Sequence, residues 1–261
     1  MDILQALVLA IIQGLTEFLP ISSSGHLVLA SQLSGWADQG VAFDAAVHLG
    51  TLFAIVVYLR NDLKSIILSL LQRKNDASAK LGWQLLWASL PVLVIGYLSV
   101  DWVNKHLRTS DVIAWSTIFF GLLLLLADQL GQRNKRLDQL RLPAVVLIGL
   151  AQVLALIPGT SRSGICMTAG LALGLSRQAA ARFAFLLAIP VLIAAGGYSL
   201  LKVVMADTQL SVSISLLLLA MLVSAVVAFA TIAFFLRLVE RVGMLPFALY
   251  RIVLGLFLLI Q

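Results

Sequence analysis

Charged residues are scarce in this sequence: Asp, Glu, Lys and Arg make up only 11% of its 261 residues. An average soluble protein has about a quarter. Apolar residues account for 61% of the chain, and the mean hydropathy is +1.03. These values exclude a soluble domain and indicate an all-α polytopic membrane protein, with residues 1–261 forming a single membrane domain.

Cysteine is nearly absent, since Cys166 is the only one, and this excludes an intramolecular disulfide. The first residues, MDILQALVLAIIQG, have no basic segment and no small-residue cleavage site. We therefore expect them to be retained, unlike a signal peptide. The net charge of +6 comes from loops between apolar runs, where basic residues set membrane orientation. We expect no nucleic-acid partner.

Six apolar runs are long enough to cross a bilayer, at about 20 residues per span: 43–59, 83–100, 112–130, 183–201, 211–236 and 244–260. Four apolar pieces are too short to span alone: 3–16, 24–33, 143–157 and a piece ending near 175. Each short pair flanks a polar loop, which predicts two re-entrant helical hairpins whose loops lie in protein or in a water-filled cavity. The alternative makes 3–16 and 143–157 full crossings.

The positions of Lys and Arg predict the orientation. Thirteen of the eighteen lie in segments that we assign to the cytoplasm, including basic loops at 60–80 and 131–142, and only three lie in outer loops. This bias places the N-terminus outside. Each half then contains one hairpin and three transmembrane helices, so the halves form an inverted-topology repeat. Residues 1–130 are the first repeat, 131–142 a cytoplasmic linker and 143–261 the second repeat.

The two polar loops match each other when the sequence is shifted by 139 residues. They read QGLTEFLPISSSGH from residue 13 and IPGTSRSGICMT from residue 157. The shift superposes Gln13 on Gln152, Ser22 on Ser161, Ser24 on Ser163 and Gly25 on Gly164. Two copies of one loop, carrying different charged groups, predict one active site assembled from both halves.

Three ionisable residues lie in or beside these loops: Glu17, His26 and Arg162. Leaving such a group unpaired in a membrane costs roughly 2.5–3.5 kcal/mol on the mildest scale, so each is a candidate functional residue. Gln13 and Glu17 are four residues apart and share a helix face. Together these residues offer a base or metal ligand, a nucleophile or acid, and a fixed cation. A structural ion pair between Glu17 and Arg162 is the alternative.

Ser24 and Ser163 each precede a glycine where a returning half-helix begins, so we expect them to be N-caps. The free backbone N–H groups there form an anion site, and the Arg162 guanidinium matches phosphate oxygens. A lipid phosphate is therefore the predicted ligand. Outside the loops, we expect His48 and His106 to be structural or exposed, Asp128 to end a helix, and Arg251 to extend to the inner surface.

The motifs TEFLPISSSGH and PGTSRSG, with the C-terminal LPFALYR, closely resemble the bacterial undecaprenyl-diphosphate phosphatase family associated with bacitracin resistance. The resemblance covers essentially the whole chain. It implies a multi-pass protein of the bacterial plasma (inner) membrane that hydrolyses undecaprenyl diphosphate to undecaprenyl phosphate and inorganic phosphate, recycling the lipid carrier of peptidoglycan precursors. Its other partners would be membrane lipids, and a homo-oligomer stays an open alternative.

The resemblance also implies site residues. The catalytic set is Glu17, Ser23, His26 and Arg162. The substrate-binding set is Gln13, Ser22, Ser24, Gly159, Ser161, Ser163, Cys166 and Thr168. Cys166 stands where the family pattern has threonine, and Thr168 is the alternative for that role. The resemblance further implies a Mg or Ca ion with Glu17 as a ligand.

Three mechanisms agree with the sequence: attack by His26, attack by Ser23, or direct attack by water. In each, Arg162 and the half-helix N-termini hold the diphosphate. A function of another class stays open, because an inverted repeat is also typical of transporters that move a lipid phosphate or anion.

Overall fold

The structure is a computed structural model that describes residues 1–36, 39–205 and 212–260. Within those ranges the chain is helical apart from turns and one isolated bridge between Lys135 and Leu175, which confirms the all-α class. The helices are α1 (Ile3–Thr16), α2 (Ser23–Ser34), α3 (Val41–Tyr58), α4 (Arg60–Leu71), α5 (Ala77–His106), α6 (Ser110–Leu130), α7 (Leu142–Val153), α8 (Arg162–Ala172), α9 (Arg177–Met205), α10 (Ile214–Val242) and α11 (Leu245–Ile260).

Side-chain oxygens at helix starts explain several of these boundaries. Asp2 accepts a hydrogen bond from the Gln5 N–H, and the Gln5 side chain accepts one from the Asp2 N–H. Asp76 accepts from the Ala79 N–H in the first turn of α5, and Ser213 caps α10 in the same way. These bonds satisfy amides that have no partner within the helix. The helices therefore begin where the sequence supplies an acceptor.

Among the described residues, five helices are long and apolar enough to cross a membrane: α3, α5, α6, α9 and α10. They correspond to the first five predicted spans, although residue 211 lies outside the described residues. The sixth predicted span forms α11, which has 16 residues and groups by length with the short apolar helices that begin at Ile3 and Leu142. The chain is a multi-pass membrane protein.

The predicted loop over residues 60–80 is wrong for most of that segment. Helix α4 occupies Arg60–Leu71, and α5 begins at Ala77. On α4, Ile66 is buried and Leu63 and Leu70 pack against the core, at the three- and four-residue spacing of an amphipathic helix. The basic residues dominate the charge of this segment without preventing one helix face from packing.

Each polar loop lies between two short helices. The first loop, residues 17–22, joins α1 to α2, and the second loop, residues 157–161, lies between a 3-10 turn (Leu154–Leu156) after α7 and the start of α8. Helix α1 packs against α10, and α7 packs against α5. A Cβ added to Gly149 would lie 2.5 Å from the Ala88 carbonyl oxygen. Such small residues allow membrane helices to approach closely, so a long apolar helix packs against the short helix that leads into each polar loop.

Asp128 joins three helix ends. It is 3% exposed and accepts hydrogen bonds from Arg177 Nε at 2.6 Å, from Arg177 Nη2 at 2.9 Å and from the Met244 N–H at 3.1 Å. The predicted position of Asp128 at the end of a helix is confirmed. Its partners lie where α9 and α11 begin, so this carboxylate fixes the ends of three helices around the core.

Candidate active site

Glu17 is the residue on which both loops converge. It follows the last residue of α1 and is only 7% exposed. Gln13 donates from Nε2 to Glu17 Oε2 at 2.9 Å, and the Ser23 hydroxyl donates to the same oxygen at 2.6 Å. Arg162 Nη2 donates to Glu17 Oε1. A buried carboxylate thus carries a hydroxyl on one oxygen and a guanidinium on the other.

A second bond holds the loops together. The Ser163 hydroxyl donates to the Leu19 carbonyl oxygen at 2.8 Å, across a sequence separation of 144 residues. Together with the pairing of Arg162 and Glu17, it brings the start of α8 against the first loop. The structure therefore unites the two segments that the 139-residue shift relates.

The two loops end in the same unusual backbone conformation. Ser22 has φ 72° and ψ 96°, and Ser161 has φ 69° and ψ 112°, a region that non-glycine residues rarely occupy. Strain of this kind costs about 1–3 kcal/mol per residue and is concentrated at functional sites. The hydroxyl of Ser22 lies 3.3 Å from that of Ser24, and the hydroxyl of Ser161 lies 3.2 Å from that of Ser163.

The N-caps predicted at Ser24 and Ser163 are therefore wrong by two residues. The residues before α2 and α8 are Ser22 and Ser161, because the chain enters each helix directly from the strained serine. Only the Ser161 side chain accepts a capping bond, from the Gly164 N–H at 3.1 Å.

His26 has hydrogen bonds at both ring nitrogens. Nδ1 lies 2.7 Å from the Ser22 carbonyl oxygen, and Nε2 lies 2.6 Å from the Tyr250 hydroxyl. A carbonyl oxygen only accepts, so Nδ1 carries the proton, and in the neutral ring Nε2 accepts from Tyr250. The two rings also stack, with centroids 5.5 Å apart. The Ser22 carbonyl therefore sets the tautomer of His26, and Tyr250 of α11 helps to orient its ring.

His48 lies beside Glu17, a contact that its predicted structural or exposed role did not include. Its Nε2 lies 3.8 Å from Glu17 Oε2, while Nδ1 bonds the Asp44 carbonyl oxygen on its own helix at 2.7 Å. His48 lies within a predicted span, where an ionisable residue is a functional candidate. The rule that selected Glu17 could have found it.

The prediction that Arg251 extends to the membrane surface is wrong as well. Its side chain is fully buried and donates to backbone carbonyl oxygens of Pro20, Thr117, Gly159 and Thr160. The sequence signal was the pair Tyr250 and Arg251, two polar residues within the apolar run of the last helix. Both contact the site region.

Two predicted substrate-binding residues have other surroundings. Cys166 is 1% exposed and lies in the main hydrophobic core. The Thr168 hydroxyl donates to the Gly164 carbonyl oxygen at 2.8 Å, a bond within its own helix. By contrast, Gly159 is at the centre of the second loop, where its carbonyl oxygen accepts from Thr117 Oγ1 and Arg251 Nη2.

Several buried polar atoms of the described residues have no hydrogen-bond partner. They are Gln13 Oε1, Gln152 Nε2 and Oε1, Thr160 Oγ1 and Arg162 Nη1. All belong to the two loops or to the helices beside them. Leaving one such atom unsatisfied costs about 1–3 kcal/mol. Their concentration here indicates that polar ligand atoms or water complete the site.

The donors around Glu17 fit a divalent cation only in part. The Glu17 carboxylate and the unpartnered Gln13 Oε1 are oxygen ligands of the kind that Mg²⁺ and Ca²⁺ prefer. In the described ranges, however, no group of three His, Cys, Asp or Glu residues is placed to hold a metal. This donor set fits an ion that takes its remaining ligands from substrate phosphates and water.

Comparison with known proteins identifies the family of this chain. Residues 6–257 match the family model described as bacitracin resistance protein BacA. The chain is 53% identical to the undecaprenyl-diphosphatase of Alcanivorax borkumensis, an alignment covering 99% of this chain and 98% of the relative. It is 49% identical to the undecaprenyl-diphosphatase of Teredinibacter turnerae, over 100% of this chain and 99% of the relative. It is 48% identical to undecaprenyl-diphosphatase 1 of Pseudoalteromonas translucida, over 100% of this chain and 98% of the relative. The chain belongs to the bacitracin resistance protein BacA family.

Proposed function

We propose that this membrane protein hydrolyses undecaprenyl diphosphate to undecaprenyl phosphate and inorganic phosphate. Family membership and the full-length relatives support the substrate and the reaction. The observation that carries the proposal is the Ser23 hydroxyl bonded to a buried carboxylate that also pairs with Arg162. A nucleophile, a base and a phosphate-binding cation then meet at one point, as phosphoryl transfer requires. The product recycles the lipid carrier of cell-wall precursors, and bacitracin resistance agrees with the family name.

Arg162 and the two helix starts hold the diphosphate in this proposal. Arg162 Nη1 has no partner and is available to a phosphate oxygen, while Nη2 stays on Glu17. The first turns of α2 and α8 add backbone N–H groups and the positive ends of two helix dipoles. Thr160 Oγ1 is a further unpartnered donor beside them. Charge that develops on the transferred phosphoryl group is thus met by fixed donors.

Ser23 is the nucleophile that the geometry favours. Its proton passes to Glu17 Oε2 as Oγ attacks the terminal phosphorus, and the bond to the bridging oxygen breaks to release undecaprenyl phosphate. That proton leaves Glu17 with the undecaprenyl phosphate. Water then attacks the seryl phosphate, Glu17 takes a proton from the water and returns it to Oγ as the P–Oγ bond breaks, and inorganic phosphate leaves. His26 is less suited to attack, because hydrogen bonds occupy both of its ring nitrogens.

A Mg²⁺ or Ca²⁺ ion would bind at Glu17, with Gln13 Oε1 as a second protein ligand. When bound, such an ion neutralises charge on the diphosphate oxygens. Gln13 would then orient the carboxylate through Nε2 and supply one ligand through Oε1, with substrate phosphates and water as the others.

We infer that the protein lies in the inner membrane as two inverted repeats, residues 1–130 and 143–261. A cytoplasmic linker, residues 131–142, joins them. Two observations support this: the equivalent serines share one strained conformation, and α1 packs on α10 as α7 packs on α5. A cysteine-accessibility scan tests it. Labels at residues 1 and 36 on the same membrane face support a re-entrant first hairpin, and labels on opposite faces exclude it.

The test of function is phosphate release from a polyprenyl diphosphate by purified protein in detergent, with and without EDTA. We expect Ser23→Ala and Glu17→Gln each to lower kcat by about 10²- to 10⁴-fold, and Arg162→Ala to raise KM as well. Ser34→Ala is the matched control, because Ser34 lies on the same helix as Ser23 and its hydroxyl bonds only carbonyl oxygens of that helix. Wild-type protein that binds the lipid without releasing phosphate would refute hydrolysis and favour a carrier.

The nucleophile is tested separately by trapping the enzyme after brief reaction with substrate labelled in the terminal phosphate. Label that resists acid and is lost in base, and that is absent from Ser23→Ala, indicates phosphoserine. Acid-labile label that disappears in His26→Ala would instead identify a phosphohistidine and exclude the serine mechanism. Turnover without any trapped label would point to direct attack by water.

A further inference from the structure

Arg251 makes an unusual set of contacts for a buried cation. Nε donates to the Thr117 carbonyl oxygen at 3.2 Å, and Nη1 donates to that of Pro20 at 3.3 Å. Nη2 donates to the carbonyl oxygens of Gly159 and Thr160, both at 2.9 Å. The acceptors are all backbone oxygens, one from the first loop, two from the second and one from α6.

The charge of Arg251 has no carboxylate partner in the part of the chain that the structure describes. Among the described residues, the ion pairs within 4 Å do not include Arg251, and the side chain is 0% exposed. Burying a charge without a counter-ion is costly, and carbonyl dipoles offset only part of that cost. A positive charge held in this way favours a nearby anion.

The bonded carbonyls lie beside the strained serines. Pro20 precedes Ser22 by two residues, and Thr160 immediately precedes Ser161, where φ is positive. Strained conformations of this kind persist only when the surroundings over-determine them. Arg251 is one group that restrains both strained turns at once.

Arg251 also sets the direction of a backbone donor. The described peptide bonds are all trans, and in a trans peptide the C=O and N–H groups point in opposite directions. Because the Thr160 carbonyl faces Arg251, the N–H of Ser161 points away from it. The same guanidinium lies against the first turn of α8, since a Cβ on Gly164 would be 3.0 Å from Arg251 Nη1.

We propose that Arg251 is a positioning residue for phosphate release, which fixes the two loops relative to each other and adds an uncompensated positive charge beside the anion site. This inference rests on the proposed phosphatase function. Arg251 acts through the loop backbones and does not touch the phosphate.

Three variants test the proposal. Arg251→Met removes both the positive charge and the hydrogen-bond donors, and Arg251→Lys keeps a positive charge. Arg251→Ala leaves room for added guanidinium. Arg237→Met is the matched control, because Arg237 is exposed on α10. Each protein is assayed for kcat and KM per folded molecule, with folding measured by size exclusion and thermal unfolding. Loops displaced by about 1 Å predict a loss of about 10²-fold in kcat for Arg251→Met, with KM changed little.

For Arg251→Lys we expect kcat per folded molecule to fall about tenfold, because one ammonium group cannot reach all the carbonyl oxygens that the guanidinium group binds. Millimolar guanidinium should restore part of the Arg251→Ala activity, and ammonium should not. A merely structural role would lower the folded fraction and leave kcat per folded molecule at the wild-type value, which would overturn the inference while the phosphatase function stands. Inactive wild-type protein would overturn both. If Arg251→Met does not fold, the lysine variant and the guanidinium rescue decide.

Discussion

Gly159 is the position where a single methyl group should do most damage to the second loop. Its φ is +91°, and an added Cβ would lie 2.2 Å from Ser116 Oγ and 2.6 Å from the Ile113 carbonyl oxygen. The left-handed backbone costs an alanine about 1–2 kcal/mol, and overpacking adds about 1–3 kcal/mol. Gly159→Ala should therefore lower the free energy of unfolding by about 2–5 kcal/mol.

The matched control is Gly35→Ala. Gly35 also has a positive φ, of +67°, but an added Cβ there meets nothing within 4 Å, so only the backbone cost of about 1–2 kcal/mol applies. Unfolding in detergent, followed by tryptophan fluorescence, measures both variants. Gly159→Ala should also lower phosphate release per folded molecule, because the displaced carbonyl is the one that Arg251 binds. Equal destabilisation of the two variants, with activity retained, would refute this reasoning about the loop.

Three further predictions concern separate parts of the molecule. Arg177→Met removes both charged hydrogen bonds to the buried Asp128 carboxylate and leaves only Arg133, whose Nη1 lies 4.0 Å from Asp128 Oδ1. This change should destabilise the fold by about 3–5 kcal/mol. Adding Asp128→Asn should recover part of that loss in detergent unfolding, and no recovery would argue against the pair. Tyr250→Phe removes the hydroxyl that hydrogen-bonds His26 Nε2. If this hydrogen bond orients the imidazole ring, kcat for phosphate release should fall. An increase in kcat would indicate that the freed ring nitrogen attacks phosphorus. The Ala79 backbone N–H, and then a serine hydroxyl, hold the pKa of Asp76 below its usual value. The stabilisation that the ionised Asp76 cap gives α5 is thus present above the usual carboxyl pKa, and it is lost as pH falls through the lowered pKa of the folded protein. The difference in Tm between wild type and Asp76→Asn should therefore vanish in acid.

Much of the fold could be predicted because apolar length is a direct requirement of the bilayer. The long helices follow from runs of about 20 apolar residues, and the four short helices on either side of the polar loops follow from runs too short to span. Helix α4 was missed because its charges were read as a loop while its buried face has only a few residues, such as Ile66. Its packing against the core is a tertiary contact that charge counting does not register.

The site, too, could be predicted only in part. Glu17, Ser23 and Arg162 could be selected because they are polar groups in apolar surroundings, and the structure brings them together. The contacts of His26 with Tyr250 could not be predicted, since the two residues are 224 positions apart. The caps were misplaced because the positive φ of Ser22 and Ser161 comes from the surrounding contacts and leaves no mark on residue type.

The buried arginine of α11 has a consequence for biosynthesis. Chains are made from the N-terminus and fold in that order, so Glu17 enters the membrane long before Arg162 and Arg251 have been translated. At that stage the Glu17 carboxylate has no Arg162 guanidinium beside it, and the loop carbonyl oxygens have no Arg251 donor. A nascent chain halted before α11 therefore has both loops but lacks the Arg251 contacts that join them.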